Sequence, residues 1–420
     1  MALVYVDALT EGMILAEDLL TPTGRFVLAA GAAIQAEQLP LLRTWGVIEA
    51  NIDEASLGDE YDQHQELIAE YTKRAETLLN RRFALNDLEQ EPVATLYRHA
   101  ARFFAVKLQR GWEPPAFPEV PTSINLADLP APLSVPHLLR GDVDVVSLPT
   151  VYTHIVELLD EPNSSSTQIA KVISKDASLT VRMLRLVNSP MYGFSGKIDS
   201  VSRAVSLLGT NELTTLALGI TVVRQFENIP SAQLNMESFW RHSIRCGLFA
   251  KTLAGHLGDN SVEKYFTGGL LHDIGRLVML DRMPLQYSGA VAKARQEQLP
   301  MYRAEQDCLK TDHSIIGKLL AEKWRLSPAL IRMIGSHHSP RLARYSLEAC
   351  VVHIADMFAH ACCHEPLLLI EIPKLELQAW TETGLSTELI APTIQQVEKE
   401  FKEIVQIFFG NTKTEESSVG

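Results

Sequence analysis

The sequence predicts a mainly α-helical protein with a small α+β unit at its N-terminus. Three observations carry that expectation. Apolar residues recur at spacings of three and four along most of residues 137–410. The first 56 residues instead show short strand-like runs separated by turn residues. Between the two patterns, residues 113–136 contain seven prolines, and no helix crosses them, because proline lacks the backbone donor and fixes an extended φ. The expected organisation is a small α+β domain at 1–56, amphipathic linking helices at 57–112, a Pro-rich linker at 113–136, a helical domain at 137–410 and a polar, disordered tail at 411–420.

Each element follows from its own residues. "ALVYVDAL", "MILAEDLL" and "RFVLAAGAAI" read as short strands, parted by Glu11-Gly12 and by the turn Thr21-Pro22-Thr23-Gly24; "AEQLPLLRTWGV" reads as a short helix and "IEANID" as a closing strand. In the linking helices Leu67, Ile68, Tyr71 and Leu78 fall on one side among charges. Such faces either serve dimer or interdomain contacts, a homodimer among them, or cover the chain's own core. "STQIAKVISKDASLTVRMLRLVNSP" reads as one helix stopped by Pro190, and "SVSRAVSLLGTNELTTLALGITVVRQF" as a helix broken near Gly209. No repeat of 20–50 residues is present.

Composition bounds the function. The chain has 420 residues, room for two or three domains, with 46% hydrophobic and 21% charged residues, a globular profile. A net charge of −13 argues against a duplex nucleic acid partner, which needs a basic footprint. No apolar run approaches the roughly 18 residues of a membrane span. The N-terminus "MALVYVDALTEGM" is acidic where a signal peptide is basic. Five cysteines, an odd number, fit reduced thiols of the cytoplasm better than a disulfide framework. Cys362-Cys363-His364 lacks the second Cys pair of a structural zinc site.

The chemistry concentrates in one third of the chain. Residues 265–280, "YFTGGLLHDIGRLVML", read as a helix apolar around most of its circumference, yet they carry His272 and Asp273. A buried carboxylate needs a partner; a metal ion would serve, and so would Arg276, three residues on at helical contact spacing. Nine of the thirteen histidines lie between His242 and His364. His242 sits in a helix whose Phe239, Ile244, Leu248 and Phe249 face inward. His313 opens a helix after Asp312, His337-His338 closes one before Pro340, and Asp356 lies on a mostly apolar helix. Helices of a bundle can bring such residues to one point, and imidazole with carboxylate suits iron, manganese, nickel or zinc. His256, His353, His360 and His364 show no spacing that sets them apart and read as ordinary polar residues.

The order His242, His272-Asp273, His313, His337-His338, Asp356 resembles the ligand signature of the HD superfamily of metal-dependent phosphohydrolases. More closely, "LPTVYTHIVELLDEPNSSSTQIAKVISKDASLTVRMLRLVNSPMYGF", then "VSRAVSLLGTNEL", "FWRHSIRCG", "TGGLLHDIGRLVM", "DHSIIGKLLAEKWRLSP" and "SHHSP", are similar to the HDOD domain, the HD-related output domain of bacterial signalling proteins. The resemblance covers about 138–361 and implies an all-helical HD-type domain. The N-terminal "LTEGMILAEDLLTPTGRFVLAAGAAI" is similar, over a shorter span, to the small domain preceding some HD-GYP and HDOD proteins.

The resemblance implies one metal held by His242, His272, Asp273 and Asp356, and a second held by His313, His337 and His338 with Asp273 as bridge. A water shared by the two ions would be the nucleophile on a phosphoester. Many HDOD domains lack some of these ligands; here all seven are present. Two features depart from the cyclic di-GMP hydrolases of the HD-GYP group. No Gly-Tyr-Pro motif follows His338, and Ala359 stands where those enzymes carry a phosphate-binding lysine. Ser238 also replaces the glutamate linked to a third metal. Arg276, Arg332 and Lys310 are the cations available to compensate. The expected function is a bacterial signal-transduction regulator, non-enzymatic, acting through signalling protein partners and keeping a divalent metal site. The alternative is a metal-dependent phosphohydrolase on a nucleotide or other phosphoester. A metal-free scaffold would leave the inward histidines unexplained.

Overall fold

A computed structural model describes residues 2–6, 9–21, 25–45, 47, 49–57, 59–115, 129–140, 150–160, 165–226, 234–259, 261–365 and 371–410. The chain divides into two compact units, Met1–Pro114 with Ser386–Gln396, and Pro115–Leu385 with Val397–Gly420. Most of the expected proline-rich linker, and the expected disordered tail at 411–420, fall outside the described residues.

The first unit is the α+β part. It contains β1 (Ala2–Tyr5), β2 (Leu19–Leu20), β3 (Phe26–Leu28), α1 (Gln38–Thr44), β4 (Glu49–Ile52), α2 (Asp59–Arg82) and α3 (Glu91–Gln109). β1 pairs antiparallel with β4, Val4 opposite Ala50, and β2 pairs antiparallel with β3. A single bridge from Leu15 to Ile52 joins the Met13–Leu15 run to β4. The strands are short because the alternating runs are short, and their inward residues Val4, Leu15, Ile34 and Ile52 meet Leu42 of α1 in one core. α2 packs along α3, with the Phe83 ring edge-on to Tyr97 at 5.3 Å. On α2 Ala75 and Leu79 are buried, while Tyr71 and Leu78 are half-buried; the side chains of Leu67 and Ile68 lie outside the described ones. Pro92 sits in the first turn of α3, where a missing N–H costs nothing.

The second unit is helical throughout its described residues: α4 (Val135–Leu138), α5 (Thr150–Asp160), α6 (Ser166–Lys175), α7 (Ala177–Val187), α8 (Val201–Leu208), α9 (Thr210–Phe226), α10 (Met236–His256), α11 (Glu263–Leu271), α12 (Ile274–Arg282), α13 (Pro284–Glu297), α14 (Met301–Leu309), α15 (His313–Lys323), α16 (Pro328–Ser336), α17 (Leu347–Ala361), α18 (Leu377–Thr383) and, from Val397, the rest of α19 (Ile390–Phe409). α10 is central and packs on α11 and α17.

Two stretches read as single helices are each two. The first breaks at Asp176, which ends α6 and caps α7 by accepting from the Leu179 amide at 2.9 Å. The second break falls at His272-Asp273, between α11 and α12. There the His272 Nδ1 donates to the Gly269 carbonyl at 2.6 Å, so a side chain takes an acceptor of the helix end. Asp273 then adopts φ −96°, ψ 7°, the bridge conformation common at functional sites. Glycines on either side bring two other helices against this break. A Cβ on Gly269 would stand 2.8 Å from the Gly247 Cα of α10, and one on Gly275 would overlap the His313 carbonyl of α15.

Candidate metal centre

Those close approaches put the ends of several helices at one buried point. α10 contributes His242; the α11–α12 break, His272 and Asp273; the start of α15, His313; the end of α16, His337 and His338; and α17, Asp356. All seven residues singled out in the sequence gather there. Six are buried and His338 is half-buried.

They fall into two groups that share Asp273. In one, Asp356 Oδ1 lies 3.1 Å from His242 Nε2 and 3.4 Å from His272 Nε2, and His272 Nε2 lies 3.5 Å from Asp273 Oδ2. In the other, Asp273 Oδ1 lies 3.1 Å from His313 Nε2 and 3.8 Å from His337 Nε2, while His338 Nε2 is 2.8 Å from His313 Nε2. Arg276 Nε approaches Asp273 Oδ1 to 3.2 Å without hydrogen-bond alignment. Arg276 and the histidines that could hold a metal therefore face the same carboxylate.

Hydrogen bonding orients the imidazoles. His272 Nδ1 bonds the Gly269 carbonyl, His337 Nδ1 the Ile334 carbonyl at 2.8 Å, and His313 Nδ1 the Glu305 carboxylate at 2.6 Å. Carbonyls and carboxylates only accept, so each Nδ1 carries a proton, and the nitrogen left to offer a lone pair to a metal is Nε2, turned toward the centre. His272 Nε2, His337 Nε2 and both Asp273 oxygens are buried without a hydrogen-bond partner. Buried polar atoms are rarely left so. Among the described residues, four groups of side chains could hold a metal ion: Asp273 with His313, His337 and His338; His242 with His272 and Asp273; His242 with Asp356 and His360; and Cys246 with His272 and Asp356. The set fits a divalent transition ion.

Burial would lower His272 and His313, but the neighbouring carboxylates outweigh it, holding His272 well above its ordinary value and pushing His313 up to about 9, so these rings release a proton when they bind a metal. Burial alone would raise the Asp273 carboxyl, but Arg276, His272 and His313 outweigh it and hold it well below the usual range. Asp356 is likewise held low against its burial, by His360, His272 and His242. Burial together with His272 and His313 pushes His337 down to about 3. The pocket therefore presents ionised carboxylates and at least one neutral imidazole, a ready donor set.

Sequence reasoning missed three of its members. His360, read as an ordinary polar residue, lies one turn beyond Asp356 on α17, with its ring 4.3 Å from that of His242; the four-residue spacing from Asp356 was the available signal. Cys246 stands one turn beyond His242 on α10. Glu305, fully buried on α14, gave no signal. His353 keeps a structural role: its Nδ1 meets the His337 carbonyl at 2.6 Å and its Nε2 accepts from the Glu376 amide at 2.9 Å.

Residues 145–340 match the HDOD domain. The chain carries an HDOD domain. The match to the domain ends before α17, so Asp356 and His360 lie beyond it. Two curated relatives align with part of the chain. One is an uncharacterised protein of Treponema pallidum, 26% identical over 221 residues, which are 52% of this chain and 42% of that protein. The other is Ribonuclease Y of Clostridium kluyveri, 28% identical over 162 residues, which are 38% of this chain and 24% of that enzyme. The matches span less than half the length of either relative. Among solved structures, a candidate phosphohydrolase from Shewanella amazonensis superposes with a TM-score of 0.51 at 23% identity, covering 65% of this chain and 96% of that one, a likeness of fold. An HDOD domain protein of unknown function from Geobacter sulfurreducens gives 0.48 at 22% identity, covering 77% and 99%.

Proposed function

We propose that the protein is a bacterial signal-transduction regulator whose HDOD domain holds a divalent metal and acts through protein partners, in the cytoplasm, without dedicated turnover. The observation that carries this reading is the engagement of every cation the sequence offered for phosphate binding. Arg276 is turned onto Asp273, Arg332 pairs with Glu348 at 3.1 Å, and Lys310 Nζ donates to the Asp307 carbonyl at 2.8 Å. Ala359, in the position that resembles the phosphate-binding lysine, is fully buried. Phosphoryl transfer relies on preorganised cationic or amide contacts around the transferring group, and losing one such contact commonly costs about 10²–10³ in rate. No helix of the described residues is long and apolar enough to cross a membrane, which suits a regulator free to meet its partners.

A second reading, metal-dependent phosphohydrolase, is favoured by the two ligand groups sharing Asp273. A divalent ion bound there supplies Lewis acidity toward a phosphoryl oxygen. The likeness to Ribonuclease Y, by its name a phosphodiester-cleaving enzyme, points the same way. The test is a panel of cyclic di-GMP, mononucleotides, single-stranded RNA and a small activated phosphoester, assayed with manganese or iron. The regulator reading expects cyclic di-GMP and RNA to survive, with at most slow attack on the activated ester. Robust hydrolysis of a natural phosphoester, abolished by His272→Ala, would reverse the order of the two readings.

A further inference from the structure

We propose that His360 is an additional protein ligand in the inner half of the metal centre, so that the two halves hold their ions with unequal lability. This rests on the metal-site reading above and gives it a specific asymmetry.

Three imidazole nitrogens converge on one oxygen. Asp356 Oδ1 lies 3.1 Å from His242 Nε2, 3.4 Å from His272 Nε2 and 3.5 Å from His360 Nε2. Only the first is within ordinary N–H···O range, and a carboxylate oxygen has two lone pairs for three would-be donors. Ligand atoms about 2.1 Å from a common ion stand about 3.0 Å apart at right angles and about 3.4 Å apart at the tetrahedral angle. The two longer spacings match such polyhedron edges better than hydrogen bonds. His360 Nδ1 and His242 Nδ1 are also buried without a hydrogen-bond partner; the His242 ring is held through Nε2 by Asp356, whereas His360 Nε2 reaches the same oxygen only at 3.5 Å. His242, Asp356 and His360 each place a ligand atom within 4.8 Å of the others, and all three are buried.

The outer half differs. It has Asp273, His313, His337 and the half-buried His338, whose ring stacks on Tyr302 at 4.8 Å. Among the ligands of the two halves, His338 is the one that keeps partial exposure to solvent. Closed shells of protein ligands characterise structural sites, whereas reactive sites keep a position open. His360 fills an inner position that a substrate oxygen would need, which accords with a metal that holds a conformation.

The experiment uses the full chain loaded with zinc, desalted and challenged with excess EDTA, with retained metal read by elemental analysis over time. Wild type should release one equivalent quickly and a second at least about tenfold more slowly. His360→Ala should merge the slow phase into the fast one, and His338→Ala should remove the fast phase and keep the slow. His256→Ala, on an exposed residue at the end of α10, serves as control. Should His360→Ala misfold by circular dichroism, His360→Gln makes the same comparison with most of the volume kept. A slow phase that survives loss of His360 overturns the proposal, as does a wild type that releases both equivalents together. Wild type that takes up no zinc, manganese or iron overturns the metal-site reading itself.

Discussion

His242 and Arg245 lie one turn apart on the same helix, both buried, and the protein treats them in opposite ways. The Arg245 guanidinium is closed by its own chain: Nε donates to Glu398 at 2.8 Å, Nη1 to Glu365 at 2.9 Å, and the group stacks 3.8 Å from the Phe401 ring centroid. Burial would raise the Glu365 carboxyl, but Arg245, His364 and Arg241 hold it well below its ordinary value. Around His242, by contrast, imidazole and carboxylate atoms are buried and left over. A charge network complete in itself serves as a clamp, because desolvation is offset by internal partners. A pocket of surplus donors is arranged to receive a cation.

The largest expected effect is on the receptor side. Asp273 belongs to both ligand groups, so Asp273→Asn should strip the protein of metal while circular dichroism shows the helices intact; full metal content in this variant would mean the centre is drawn wrongly. The clamp should respond in the other way. Glu365→Gln removes one of the two carboxylates paired with a buried guanidinium and should cost up to about 3–5 kcal/mol in denaturant unfolding, with metal content unchanged. Adding Arg245→Met should recover part of that loss, and no recovery would show that the carboxylate matters for something other than Arg245.

A smaller effect is expected at Glu305, which fixes the proton on His313 Nδ1. Glu305→Gln should weaken metal binding by about 10–100-fold, about 1.4–2.8 kcal/mol, without removing it; unchanged affinity would free His313 from this dependence. The smallest effect is the acid limb of stability. A carboxylate whose folded pKa lies below its unfolded value contributes stability above the unfolded pKa and loses it as pH falls toward the folded one. For Glu365 that loss begins near 4.5, its ordinary value. The metal-loaded chain should therefore lose up to about 1.4 kcal/mol per pH unit below that point from this one group, and Glu365→Gln should flatten the limb by that amount. An unaltered slope would assign the limb to other carboxylates.

The sequence by itself determined the mainly helical class, the distinct α+β start and the residue types of seven members of the centre. Those follow from local rules: turn residues, apolar spacing, caps such as Asp312, and histidines set in apolar surroundings. Periodicity tells which face of a helix turns inward, but it does not tell which inward faces meet. The break at His272-Asp273 was invisible because the local pattern is continuously apolar; it arises from a side-chain hydrogen bond to Gly269 and from backbone contact at Gly247 and His313, which lie far away in sequence. Glu305 and Cys246 acquire a role only from the packing of α14 on α15 and of α10 on α11. His360 had a four-residue spacing from Asp356 to recommend it, yet spacing alone does not distinguish a ligand from a core polar residue. Tertiary structure alone decided that the Arg245 charges are paired while the Asp273 oxygens and the Nε2 atoms of His272 and His337 are left without hydrogen bonds, because pairing depends on distances between segments that the chain order leaves free.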